Sequence, residues 1–144
     1  MSVSADDKDG EASADRFSKA RSERASVLLE DYTELIAELI EETGEARITD
    51  IARAMGVAHP TATKAVGRLK REGLATSRPY RGVFLTEEGD AMAKKNRERH
   101  RLVLDLLLAL GVPEESAELD AEGIEHHVSE ETLKAFSCFL KKSS

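Results

Sequence analysis

Between Phe17 and Thr43 the apolar residues Val27, Leu28, Tyr32, Leu35, Ile36, Leu39 and Ile40 recur at spacings of three and four. That period predicts an amphipathic helix, and Gly44 stands where a helix C-cap belongs. "RITDIARAMGV" predicts a short helix with Ile48, Ile51, Ala52 and Met55 on one side, stopped by Gly56. "HPTATKAVGRLKREG" predicts another: Pro60 suits the first helical position, Ala62, Ala65, Val66 and Leu69 form the stripe, and Gly73 stops it. Gly67 interrupts that helix at a cost of about 1 kcal/mol relative to Ala, which suggests close packing there. The period then changes. "LATSRPYRGVFLT" has β-formers at its ends and Pro79 and Gly82 near its middle, so it reads as a hairpin.

Thr86, followed by two glutamates, predicts an N-cap for a long helix running to about Leu110. Its last part, "LVLDLLLALGV", is apolar almost all round. A single small subunit gives little cover to such an end, so it is expected to form a dimer interface. Pro113 is expected to open a helix through His127, and Ser129 with Glu130 and Glu131 to start a last one to about Leu140. The first residues, "MSVSADDKDGEASADRF", are small and acidic, and residues 1–20 are expected to be a disordered tail. No internal repeat is apparent.

Charge changes this picture more than composition does. The chain of 144 residues carries a net charge of −7, yet residues 50–85 hold Arg53, Lys64, Arg68, Lys70, Arg71, Arg78 and Arg81 against only Asp50 and Glu72. That segment is +5 and the remainder −12. A basic middle between acidic ends attracts phosphate at its centre. Two short helices, the second basic, followed by a hairpin with arginines, have the order of a winged helix-turn-helix. The second helix then faces a major groove, with His59 at its start and Thr61 and Thr63 near base edges. Lys64, Arg68 and Arg71 suit phosphates, and Arg78 and Arg81 flank the wing tip. The bland alternative is a helical hairpin with a solvated basic face.

The remaining chemistry lies in the acidic parts. "DAEGIEHHVSEET" sets Glu122, Glu125 and His126 at i, i+3 and i+4, one face of a helix, with His127 about 100° away. Asp31 and Glu34 are again three apart, and His100 stands alone in the long helix. Six such groups from three helices could hold two divalent cations with shared carboxylates. Each part alone also fits an ordinary solvated face or an incidental histidine.

"LLEDYTELIAELIEETGEARITDIA", "PYRGVFLTEEG", "RERH" and "DAEGIEHHVSEETL" together resemble the manganese-sensing branch of the diphtheria-toxin-repressor family, over about residues 28–140. The resemblance implies a mainly α protein: a winged helix-turn-helix DNA-binding domain with a small β-hairpin wing over 21–86, then an all-helical dimerisation and metal-binding domain over 87–144. It implies a homodimer that binds double-stranded operator DNA when loaded with Mn²⁺, two ions per subunit, and represses manganese uptake genes. The implied ligands are Asp31, Glu34, His100, Glu122, Glu125 and His126, without His127. A set of carboxylates and imidazoles free of sulfur suits Mn²⁺. Iron-sensing relatives place Met and Cys at the positions of Asp31 and Glu125, so an iron-responsive repressor is the nearest alternative.

Other classes fit less well. A binuclear metallohydrolase lacks an HExxH motif, a phosphate-cradling glycine loop and a spare carboxylate, so no enzyme is expected. Aromatic residues make up 4% of the chain and tryptophan is absent, which argues against an organic-ligand pocket. No apolar run reaches about 18 residues and no secretory h-region is present, so no membrane span and a cytoplasmic location are expected. A single Cys138 forms no internal disulfide and reads as a small apolar residue of the last helix.

Overall fold

The computed structural model describes residues 5–143. It contains α1 (Ala5–Thr43), α2 (Ile48–Met55), α3 (His59–Arg71), β1 (Ala75–Arg78), β2 (Gly82–Leu85), α4 (Glu87–Ala109), α5 (Glu114–Ile124) and α6 (Glu130–Ser143). The protein is therefore mainly helical with one antiparallel hairpin, as the residue pattern predicts.

Two apolar clusters organise these elements. The first joins Tyr32 and Ile36 of α1 to Ile51, Val66, Leu69 and Val83, with Ile48 and Met55 packed against it. The stripe of α3 is buried as a unit: Ala62, Ala65, Val66 and Leu69. Truncating a fully buried Ile51 or Leu69 to Ala costs about 2–5 kcal/mol on general grounds, so the cluster fixes α3 against α1 and α2 and leaves its outer face free. The second cluster joins Val103 and Leu104 of α4 to Ala117 and Ala121 of α5 and Leu133 of α6. The apolar end of α4 thus divides. One side fills this cluster, while Leu108 and Leu110 stay exposed, as do Leu119 and Phe139.

The stops fall where glycines allow a left-handed turn: Gly44 has φ 81° and Gly56 φ 68°. The wing pairs Ala75 with Leu85 and Arg78 with Gly82. It is tied to the α1–α2 loop by Val83 N–H donating to Ala46 O at 2.8 Å. Gly82 is demanded by that tie, since its φ is 92° and a Cβ would stand 2.6 Å from Ala46 O. Thr86 Oγ1 accepts from Gly89 N–H at 3.1 Å and donates to Gly73 O at 2.6 Å, locking the wing to the start of α4.

Three expectations are corrected. The chain is helical from Ala5, so the tail expected to be disordered over 1–20 continues α1; residues 1–4 lie outside the described residues. No proline interrupts this stretch, and extending an existing helix is far easier than nucleating one. The helix expected through His127 ends at Ile124. The chain must turn there to reach Ser129, whose Oγ accepts from Thr132 N–H at 3.2 Å at the start of α6. Gly67 marks no close packing within the protein: a Cβ there would meet nothing nearer than Arg71 Nη1 at 3.8 Å.

Candidate metal centre and DNA-reading face

The acidic centre forms where α1, α4 and α5 meet. Helix α4 crosses α1, and the buried Asn96 donates from Nδ2 to Glu30 O at 3.3 Å. That bond sits inside the crossing, whereas the Arg97–Glu41 pair at 3.1 Å is exposed and adds little. The crossing brings Asp31 of α1 towards the turn after α5, and His100 of α4 towards the same turn.

Two groups of potential ligand atoms result. Asp31, Glu122 and His126 present atoms within 4.8 Å of one another, and so do His100, Glu122 and Glu125. Glu122 belongs to both. Glu34 lies in neither; it shares a cavity of about 280 Å³ with Asp31, Glu122, Glu38 and Met55. His127 is exposed and outside both groups. The six residues thus converge, but Glu125 and His126 reach the centre from a turn rather than from a shared helical face.

Each histidine is bracketed by carboxylates. His126 Nδ1 lies 2.6 Å from Glu30 Oε2, and its Nε2 lies 3.2 Å from Asp31 Oδ1 and 3.3 Å from Glu125 Oε1. His100 Nδ1 lies 2.9 Å from Glu125 Oε2 and 3.5 Å from Glu122 Oε1, while its Nε2 lies 3.2 Å from Glu118 Oε2. A carboxylate can only accept, so Glu30 holds the proton on His126 Nδ1 and turns Nε2 inwards. Glu118 does the same for His100 at the other ring nitrogen. Neither Glu30 nor Glu118 was singled out by sequence. Glu30 is one carboxylate beside another, and its contact spans 96 residues.

The electrostatics follow from that bracketing. The Asp31 carboxylate, then Glu30, push His126 up to about 10 against the opposing effect of burial. Burial opposes ionisation of His100 too, but Glu125, Glu118 and Glu122 together raise it above its ordinary value. Glu125, 1% exposed, is pushed up to about 7, first by burial and further by Glu122, with His100 and His126 acting against the rise. Burial, Glu122 and Glu38 raise Glu34. Without a metal, protonated imidazoles therefore hold the carboxylates together. The donor set fits a divalent cation, because Glu125 Oε1 and His126 Nε2 are buried, lie 3.3 Å apart and have no well-aligned hydrogen bond, only ion-pair contacts with each other and with Asp31. Leaving such atoms unsatisfied is costly.

The basic face is built separately. His59, Thr61, Thr63, Lys64, Arg68 and Arg71 of α3 and Arg78 and Arg81 of the wing are all exposed. Thr63 Oγ1 donates to His59 O at 3.0 Å, so its hydroxyl is partly engaged. The Arg78 guanidinium lies 4.8 Å over the Phe84 ring, which holds it along the wing. Sequence reasoning missed Tyr80, 96% exposed at the wing tip with φ 65°. Its carbonyl accepts from Arg47 Nη2 at 3.3 Å. The unusual "PYRG" tip was the available signal.

Residues 26–83 match the family model described as the iron dependent repressor N-terminal DNA binding domain. Residues 86–144 match the iron dependent repressor metal binding and dimerisation domain. The transcriptional regulator MntR of Escherichia coli O157:H7 is 52% identical over 126 residues, covering 88% of this chain and 81% of the relative. The HTH-type transcriptional regulator MntR of Bacillus subtilis (strain 168) is 44% identical over 101 residues, covering 70% and 71%. Among solved structures, the manganese regulator SloR superposes with a TM-score of 0.70 at 29% identity, over 78% of this chain and 53% of that one. A manganese-dependent transcriptional repressor in complex with manganese gives 0.67 at 26% identity, over 78% and 52%. The chain spans about half the length of these two structures.

Proposed function

Because the chain belongs to the iron-dependent repressor family, we propose that its acidic centre is the switch for its DNA-reading face and that the physiological activator is Mn²⁺. The chain is a DNA-binding transcriptional regulator akin to MntR. The observation that carries the metal reading is the pair of buried atoms Glu125 Oε1 and His126 Nε2, 3.3 Å apart and without a well-aligned hydrogen bond, beside Asp31 and Glu122. The donor set contains oxygen and imidazole nitrogen and no sulfur, which favours Mn²⁺ over the softer demands of an iron sensor. Asp31, Glu122 and His126 would hold one ion, and His100, Glu122 and Glu125 a second, with Glu122 bridging. Glu34 would complete the set from α1.

A bound Mn²⁺ supplies positive charge where carboxylates of the two halves meet, replacing the protons carried by the imidazoles. The protein does the rest. Glu30 and Glu118 orient the two rings. Asp31 sits beside Tyr32, which is buried in the reading-head core, so anchoring Asp31 to the turn after α5 also anchors that core. The exposed Leu108, Leu110, Leu119 and Phe139 supply the surface for a second subunit, and two anchored heads then meet half-sites about one helical turn apart. On this reading Thr61 and Thr63 meet base edges, and Lys64, Arg68 and Arg71 meet phosphates. By linkage, DNA and metal each raise the other's affinity.

The test is DNA binding by metal-free protein titrated with Mn²⁺, Fe²⁺ and Zn²⁺ under matched anaerobic conditions. Mn²⁺ is expected to switch binding on, and Glu125→Ala to lose that response while keeping its helical content. A Glu125→Ala protein that answers Mn²⁺ at wild-type concentrations removes that residue from the centre. Equal DNA binding with and without metal removes the switch altogether.

A further inference from the structure

Helix α1 begins at Ala5, but the matched DNA-binding model begins at residue 26. About six helical turns therefore precede the family's reading head. Where α1 enters that head, Leu28 lines a groove with Thr61, Lys64 and Arg68 of α3, about 490 Å³ in volume. Leu28 thus marks the side of α1 that looks along the recognition helix. Counting back at 100° per residue, Arg24, Arg21 and Phe17 stand four, seven and eleven positions earlier, within about 40° of the same direction. Over residues 16–25 there are four basic residues, Arg16, Lys19, Arg21 and Arg24, against one acid, Glu23. Among the described residues Lys19, Arg21 and Arg24 make no ion pair, and all three are exposed. Phe17, 70% exposed, lies on the same face with no cover.

We infer that this extension is a second DNA-binding element, resting on the reading of α3 as the recognition helix. It runs along the sugar–phosphate backbone beside the operator, with Arg21 and Arg24 closing on phosphates outside the bases that α3 reads. At 1.5 Å per residue, Arg21 lies about 10 Å and Phe17 about 16 Å beyond Leu28. At 3.4 Å per base pair, that reach covers roughly three to five flanking base pairs. Charge decides the occupant. Residues 16–25, the part of the extension next to the reading head, continue the positive face of α3, whereas residues 5–15 carry Asp6, Asp7, Asp9, Glu11 and Asp15 against Lys8 and are left out of the contact. Phosphate is the dense anionic surface that a recognition helix approaches. The contact carries affinity and no base preference.

The experiment uses full-length, Mn²⁺-saturated protein and a duplex that it selects from a random pool. Two lengths are compared: one trimmed to the selected site and one with ten extra base pairs on each side. The double variant Arg21→Ala, Arg24→Ala is paired with Arg21→Lys, Arg24→Lys, which keeps the charge; alanine favours helix, so helical content is retained. On the long duplex the alanine variant is expected to flatten log K against log salt by about 1.8 units per subunit, about 0.9 for each phosphate contact. The ratio of wild-type to variant affinity then shrinks about twelve-fold per subunit between 50 and 200 mM salt. On the trimmed duplex the two proteins should agree, and the lysine variant should match wild type on both. An unchanged slope on the long duplex overturns the proposal, and so does an equal loss on both duplexes, which would place the action of the arginines within the selected site rather than on flanking phosphates. Lys64→Ala separates the two readings. If it lowers the slope while the arginine variant does not, the extension alone has failed. If neither does, the recognition-helix reading has failed with it.

Discussion

Metal uptake by this centre should release protons, because His126 holds one with a pKa of about 10. To offer Nε2 as a ligand, His126 must lose that proton while Glu30 keeps the one on Nδ1. Each proton displaced makes apparent affinity rise tenfold per pH unit below the pKa concerned. Between pH 7.5 and 8.5, His126 alone therefore gives about tenfold. Towards pH 6.5 the slope should steepen, since Glu125 is pushed up to about 7 and His100 is also raised. The sign for stability is opposite in the metal-free protein. The ionised form of His126 stabilises the fold below its ordinary pKa of about 6.5, and that contribution fades as pH rises through about 10. Mn²⁺ should thus raise the melting temperature more at pH 8.5 than at pH 6.5. Calorimetric titration in two buffers of different ionisation enthalpy counts the protons directly. The expected count at pH 8 is at least one. A count near zero, with affinity flat from pH 7.5 to 8.5, would mean that His126 does not exchange a proton for the metal.

Glu30→Gln keeps the size of the side chain but removes the charge that orients His126, and should weaken Mn²⁺ binding about 10–100-fold; wild-type affinity, measured by the paramagnetic signal of free Mn²⁺, would show that the ring is held by other means. Asp31→Met introduces a soft donor and should shift activation towards Fe²⁺; an unchanged ratio of half-activating Mn²⁺ to Fe²⁺ would contradict that. His126→Ala should lose the DNA response, whereas the exposed His127→Ala should retain most of it; comparable losses in an electrophoretic shift assay would place both rings in the centre.

What sequence revealed and what it hid follow from the range of the interactions. The stripe from Tyr32 to Ile40, the stops at Gly44, Gly56 and Gly73 and the cap at Thr86 are local, and each appears in the structure where the spacing puts it. The convergence of Asp31, His100, Glu122, Glu125 and His126 was suggested by residue types, but nothing in their spacing showed that Glu122 stands between two groups. The roles of Glu30 and Glu118 depend on how α1, α4 and α5 cross, so both looked like surface acids. The helix expected through His127 stops at Ile124 because the chain must turn before the cap of α6 at Ser129, a tertiary demand that a period of 3.6 does not encode. The opposite error at Ala5 has the same origin: composition described residues 5–20 as a tail, while continuity with α1 makes them helix.

The division of the chain at residues 83–86 by the two family models hides a feature of α1. That one helix carries Tyr32 and Ile36 of the reading-head core as well as Glu30, Asp31 and Glu34 of the acidic centre. On the proposed ligand set, the packing that supports the DNA-reading helix and the metal preference are consequently inherited together. A chimera that exchanges residues 26–83 between relatives to change the operator also imports the donor's residues at positions 30, 31 and 34. It would answer to a hybrid set of ligands rather than to the recipient's metal. A clean exchange of operator must begin downstream of α1, near Ile48, and accept a new seam against Tyr32 and Ile36. If those carboxylates hold the ion, the same coupling restrains divergence: a drift in α1 that repacks the reading head also alters the ion that the protein obeys.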